Sequence, residues 1–210
     1  MTAALRLATA ACLLALAAPA AEAATVGFGL TVSTSGSGGD RPQFTLTNIS
    51  DSALIQTFTF AINAPGYWFD YIYSQTVPVT PVGQTLTTGQ TNGNENSGTT
   101  SVAFGFTAFD PSDVFQFRAD LDPIGVADAA TNFRSVFFNN GGPSVPNATA
   151  SVLFSDGRTL ALELSGTGGQ SAYIYTAAIV DAPVPLPATL PLALVGLGGL
   201  GLMARRRKAA

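Results

Sequence analysis

Histidine is absent from this 210-residue chain, lysine occurs once, at Lys208, and cysteine once, at Cys12. Without an imidazole, His-based triads are excluded, and so are zinc sites built from Cys and His. Charge is scarce as well: Asp, Glu, Lys and Arg make up 10% of residues, against roughly 25% in an ordinary soluble domain. That deficit points away from a cytoplasmic enzyme. Gly (22) and Pro (13) stay below the level of collagen or disorder, yet they suffice for many turns. What the chain has in quantity is apolar residues, 47% of the total.

The two ends read as addresses. Arg6 supplies a positive start, Leu7 to Ala18 is an uncharged apolar run, and Pro19 breaks it before Ala21-Glu22-Ala23, a small-x-small cleavage site. This predicts a signal peptide over 1–23, formed as a helix and cut between Ala23 and Ala24. The run is too short to span a bilayer as a stable anchor. Cys12 lies inside it, with Leu13, Leu14 and Leu16 still to come, so it leaves with the peptide. The body that remains is expected to fold without disulfides.

At the other end, Ala182 to Ala204 carries no charge and Arg205-Arg206-Arg207-Lys208 follows at once, which is a stop-transfer pattern. By the positive-inside rule those cations stay cytoplasmic and the body is translocated. Within the expected transmembrane segment, 190–204, the usable helix Leu190 to Met203 is about 21 Å long against a hydrocarbon core of about 30 Å. Gly196, Gly198, Gly199 and Gly201 weaken it further. Such a segment suits recognition and release better than permanent anchoring.

The order of Val184-Pro185-Leu186-Pro187-Ala188, a short Leu/Gly-rich stretch and a basic tail at 205–208 resembles the PEP-CTERM class of bacterial sorting signals, in its VPLPA variant. The resemblance covers 183–210. It implies handling by an exosortase, an integral-membrane cysteine transpeptidase-like enzyme of Gram-negative bacteria that make exopolysaccharide. By that resemblance this protein is the substrate, held transiently at the inner membrane and then passed to the cell surface or beyond it. Pro-Leu-Pro stands where the family has Pro-Glu-Pro, so no cut position is carried over. An uncleaved C-terminal anchor is the other reading.

Between the ends, 24–182 reads as one domain. Apolar and polar residues alternate in short runs: Val26 to Val32, Phe44 to Ile49, Phe58 to Ile62, Tyr67 to Tyr73, Val102 to Phe106, Val114 to Phe117, Phe133 to Phe138, Val152 to Phe154, Leu160 to Leu164 and Ala172 to Ile179. Turn formers such as Pro65-Gly66 and Asp110-Pro111 separate them. The pattern predicts an all-β fold, an antiparallel β-sandwich or jelly roll. At Asp156-Gly157, a two-residue turn would split the apolar set between faces. A three-residue loop, Ser155 to Gly157 with Gly157 left-handed, instead pairs Val152 with Leu160 and Ala150 with Leu162. It leaves Glu163 facing solvent.

Four arginines (Arg41, Arg118, Arg134, Arg158) stand against 12 carboxylates in this domain, a net charge of −8. Nucleic acids and anionic lipid surfaces are repelled by such a body. Three constellations are candidates for something more specific. Asp110, Asp113, Asp120 and Asp122 offer hard oxygens for calcium, with 120 and 122 on one side of a strand; turn capping and solvation are the competing reading. No other cofactor is expected. In Tyr67-Trp68-Phe69-Asp70-Tyr71-Ile72-Tyr73, alternation puts Tyr67, Phe69, Tyr71 and Tyr73 on one face and Trp68, Asp70 and Ile72 on the other. An exposed tyrosine face would stack on sugars, with Tyr67, Trp68, Tyr71 and Tyr73 as the glycan candidates; a buried one is sandwich filling. The Thr/Asn/Gly-rich stretch Thr85 to Thr100 reads as a long surface loop.

Three functional classes follow. The first is a non-catalytic surface or matrix protein embedded in exopolysaccharide. The second is a carbohydrate-binding module, calcium-assisted or not. The third is a glycoside-active enzyme, which needs a carboxylate pair. The domain's only glutamates, Glu95 and Glu163, fall in a Gly/Asn loop and on a hairpin, so that pair would lean on aspartates and the sequence reads as a non-enzyme.

Overall fold

The computed structural model describes residues 24–34, 39, 41–76, 82–91, 97–126, 131–138, 146–166, 169–181 and 196–197, the side chains of 74 and 75 excepted. Thr25–Val180 forms one compact unit, and Met1–Ala24 with Asp181–Ala210 forms another. Of the latter only Ala24, Asp181 and the helical pair 196–197 are described. The expected signal helix, Ala21 and Ala23, the motif Val184 to Ala188, the basic tail Arg205 to Lys208 and all but that pair of the 190–204 segment lie outside the described residues. Among the described residues no helix is long and apolar enough to cross a membrane.

The body is all-β, built of two antiparallel five-stranded sheets. In chain order the strands are β1 (Thr25–Thr34), β2 (Pro42–Asn48), β3 (Ile55–Ala61), β4 (Tyr67–Thr76), β5 (Thr85–Thr88), β6 (Ser101–Phe109), β7 (Val114–Pro123), β8 (Thr149–Phe154), β9 (Thr159–Glu163) and β10 (Ala172–Val180). One sheet runs β10-β1-β2-β7-β4 and the other β5-β6-β3-β8-β9. Period-2 alternation builds each inner face: Val26, Phe28, Leu30 and Val32 on β1 and Phe44 and Leu46 on β2 are buried. All 14 phenylalanines are buried. Phe44 stacks on its cross-strand partner Phe117 at 4.6 Å and meets Phe60 of the facing sheet edge-on at 4.8 Å. Each such pair adds about 0.5–1.5 kcal/mol beyond the area it buries.

One buried amide ties the sheets together. The Asn48 side chain donates to the carbonyls of Ala53 (2.8 Å) and Phe109 (3.0 Å), and its Oδ1 accepts from the Ser50 N–H (3.0 Å). Asn48 ends β2 in the first sheet, while Phe109 ends β6 in the second.

The β8–β9 hairpin has the register that the three-residue loop predicts: Val152 lies opposite Leu160 and Ala150 opposite Leu162. Gly157 takes φ +86°, and the Phe154 N–H donates to the Arg158 carbonyl at 2.9 Å. Two expectations are corrected. Phe133 to Phe138 is not a strand: Phe133–Phe137 forms a short helix, α1. Phe133, Val136 and Phe137 are spaced i, i+3, i+4, and all three are buried. Asn132 caps this helix, its Oδ1 accepting from the Arg134 N–H at 3.1 Å. The second correction is in the Thr-rich stretch, where Thr85–Thr88 forms β5 and pairs with β6. Threonine is β-branched and fits a half-exposed edge strand, so composition alone misleads there.

Candidate functional site

The site lies on the outward face of the first sheet, where β4 pairs with β7. The register shifts between Phe69 and Tyr71: Phe69 faces Leu121 and Tyr71 faces Asp120, leaving Asp70 as the additional residue of a β-bulge. The bulge inverts the alternation. Phe69 and Ile72 are both in the core, although one even and one odd position cannot share a face of an unbroken strand. Trp68 (opposite Asp122), Tyr71 (opposite Asp120) and Tyr73 (opposite Arg118) share the outward face. The expected grouping of Tyr67, Phe69, Tyr71 and Tyr73 on one side is therefore corrected. Tyr67 packs against the core cluster instead.

The same bulge gathers carboxylates. Asp120 and Asp122 share the outward face of β7, and Asp70 joins them; ligand oxygens of the three lie within 4.8 Å of one another. All three residues are buried. Asp110 and Asp113 do not belong to this group: they shape the β6–β7 turn at the opposite end of β7, where Asp113 Oδ2 accepts from the Asp110 N–H at 3.0 Å. The four aspartates read together from sequence thus separate into a turn pair and a cluster pair. Asp70 is the residue the sequence reading left out of the cluster. Its signal was present, because regular alternation would place this carboxylate on one face with the apolar Trp68 and Ile72.

Asp120 is the hub. Its Oδ2 accepts from the Tyr73 hydroxyl at 2.6 Å and from Arg41 Nε at 3.1 Å, while the Arg41 guanidinium carbon stands 5.3 Å from the centre of the Tyr73 ring. Burial first, then the hydrogen bond to Asp120, holds the Tyr73 hydroxyl well above the ordinary tyrosine range. Arg41 is half exposed, so its ion pair with Asp120 orients more than it stabilises.

The aromatic residues do not form a flat platform. Tyr71 and Tyr73 meet edge-on, ring centres 4.3 Å apart at 73°. The segment at Gly98 crosses directly over Trp68, where a Cβ at Gly98 would sit 2.6 Å from the indole Cγ. Nε1 of Trp68 is buried without a hydrogen-bond partner among the described residues. The edge of β4 is covered as well: Phe69 exchanges backbone hydrogen bonds with Thr99, the Ile72 N–H donates to the Gln90 carbonyl, and Gln90 Nε2 donates to the carbonyls of Asp70 and Ser97. Beside Tyr73 a shallow cavity of about 220 Å³ is lined by Gln43, Thr76, Gln116, Phe117 and Arg118. Glu163 is exposed and accepts from Asn147 Nδ2 at 2.8 Å, away from this cluster on β9.

These elements define an aromatic-cored β-sandwich whose outward face carries a small, interlocked carboxylate–tyrosine–arginine cluster. Residues 183–208 match the family model of the PEP-CTERM protein-sorting motif, so the chain carries that motif at its C-terminal end. The motif marks an exported, cell-surface-directed protein processed by exosortase. No curated protein matches the chain. Among solved structures, a DUF4466 family protein from Parabacteroides merdae is similar over 70% of this chain and 44% of its own length, at 12% identity and a TM-score of 0.32. The chain thus spans less than half of that protein, and a likeness so slight carries no argument.

Proposed function

We propose that this is a non-catalytic structural protein of a Gram-negative cell surface or extracellular matrix, delivered there by its sorting signal and associated with exopolysaccharide. The observation that carries the reading is the sorting motif at 183–208. In this reading Val184 to Ala188 is the VPLPA form of the recognition sequence, the 190–204 segment holds the chain transiently at the inner membrane, and exosortase releases it. The ectodomain then acts as a rigid, acidic, sulfur-free block within the polymer. A non-catalytic role is supported by the hub residue: Asp120 already accepts from Tyr73 and Arg41, the arrangement of a structural lock rather than of a free nucleophile or base.

The test is fractionation of cells that make the full chain and a variant lacking 183–208. The full chain is expected in the surface and matrix fraction, with polymer co-purifying. Equal amounts of both forms there would refute the role of the motif. Catalysis is tested with the Asp120→Asn variant: β-glucan hydrolysis by the parent that disappears in the variant would overturn the non-catalytic assignment.

Calcium is the cation that the oxygens of Asp70, Asp120 and Asp122 would take, and a chelator-dependent fall in melting temperature tests that binding. The covered Trp68 and the edge-on tyrosines favour a matrix protein over a sugar-stacking module. Polymer binding abolished by Tyr71→Ala and Trp68→Ala would reverse that preference.

A further inference from the structure

Three of the four sheet edges are blunted against pairing with another chain. β5 is four residues long and shifts register between Leu86 and Thr88. β9 is five residues long, ends in Glu163 and follows the Asp156–Arg158 ion pair. β4 is twice bulged and bonded along its edge to Gln90 and Thr99. The fourth edge has none of these protections. β10 is nine residues long, keeps unbroken register with β1, and belongs to an uncharged stretch from Leu164 to Val180. A long, regular, uncharged edge is a template for a further strand.

The Thr34 N–H donates to the Ser171 carbonyl at 3.0 Å, which sets the alternation of the β1–β10 ladder. With unbroken register, odd positions of β10 bond to β1, and Ala172, Ile174, Thr176, Ala178 and Val180 turn their N–H and C=O groups the other way. Among the described residues no strand pairs with them. Their side chains share the outward face of the sheet, with Ile174 78% and Val180 62% exposed.

We propose that β10 pairs antiparallel with β10 of a second copy, about a two-fold axis through Thr176, joining two five-stranded sheets into one continuous sheet. This register overlaps the whole strand and is self-complementary. Thr176 meets Thr176, each Ile174 lies opposite an Ala178, and each Val180 lies opposite an Ala172, so every bulky side chain faces a methyl group. Charge selects the same edge. With a net charge of −8 most approaches of two copies oppose like charges, whereas this strand carries none. The nearest carboxylate, Asp181, falls opposite Ser171 of the second copy, beside Gln170, whose carbonyl already accepts from the cation Arg134. The proposal rests on the fold and not on the assigned function, so either can fail alone.

The test is disulfide trapping in the detergent-solubilised full chain carrying Cys12→Ser. Cα atoms of a hydrogen-bonded antiparallel pair lie about 5.5 Å apart, within disulfide reach. On mild oxidation Thr176→Cys is expected to give a covalent dimer on non-reducing gels. Thr45→Cys, on the same face of the interior strand β2, and Thr159→Cys, on the β9 edge, are expected to stay monomeric. A monomeric Thr176→Cys chain, whether because another segment covers β10 or because nothing does, overturns the proposal, and so does equal cross-linking of the three variants. Thr176→Lys provides a second reading, since it places two cations opposite each other at the axis. Its sedimenting mass should fall to the monomer while the far-UV circular dichroism of the folded sandwich is retained; a surviving dimer contradicts the pairing.

Discussion

Replacing Asn48 by leucine tests the inter-sheet tie directly. The substitution keeps the number and branching of the heavy atoms but removes two donors and one acceptor, leaving the Ala53 and Phe109 carbonyls and the Ser50 N–H without this partner. Asn48 is fully buried, so water does not replace it. An orphaned buried group costs about 1–3 kcal/mol, and the three sum to about 3–6 kcal/mol when the low and middle of that range are used. That is a large part of the roughly 5–15 kcal/mol that holds a domain of this size. At about 2–4 °C per kcal/mol, the expected fall in melting temperature is about 6–24 °C. Circular dichroism melts of the parent, Asn48→Leu and Asn48→Asp supply the measurement. Asn48→Asp retains the acceptor for Ser50 but sets a carboxylate against two carbonyls, so it should melt at least as low as Asn48→Leu. A fall of only a degree or two in both variants would refute the claim that this amide ties the sheets.

Other outcomes follow from local geometry. At Gly157 a Cβ would meet nothing within 4 Å, yet φ is +86°, so Gly157→Ala should cost about 1–2 kcal/mol through backbone strain alone, measured by urea titration. At Gly27 the reverse holds: a Cβ would sit 2.7 Å from the Ala177 carbonyl oxygen, and Gly27→Ala should cost about 1–3 kcal/mol and accelerate amide exchange along β10. The Tyr73 hydroxyl has a folded pKa above its unfolded value of about 10, so its neutral form is favoured by folding. That contribution is complete below about pH 10 and is lost as pH rises further. Tyr175, raised by burial and by the neighbouring Tyr173, acts in the same direction. Melting temperature should therefore drop above about pH 10, and Tyr73→Phe should start lower at neutral pH but decline less steeply.

Much of the sandwich is legible in the sequence because strand alternation is a local property. Val26, Phe28, Leu30 and Val32 announce the inner face of β1 without reference to any other strand. The β8–β9 register was legible for a related reason: only one loop length keeps Val152 and Leu160 on the same side. What escaped depends on partners. The bulge at Asp70 exists because Leu121 and Asp120 of β7 oppose Phe69 and Tyr71, a relation that nothing within Tyr67 to Tyr73 specifies except the misplaced carboxylate. The carboxylate cluster inherits the difficulty, since its third member arrives through that bulge. In Phe133 to Phe138 the run of aromatics suggested a strand, while the helical spacing of 133, 136 and 137 and the cap at Asn132 carried the decisive information. Gly98 over Trp68 is a contact between distant segments and leaves no mark in composition.

If the N-terminal signal exports this sandwich and the C-terminal motif sorts it to the cell surface, both ends of the chain are trimmed on the way. Intact-mass spectrometry of native material from the matrix fraction tests it most directly. A polypeptide that begins at Ala24 and lacks the basic tail from Arg205 to Lys208 is expected. Recovery of the chain from the cytoplasm with Met1 and Ala210 both in place would contradict it.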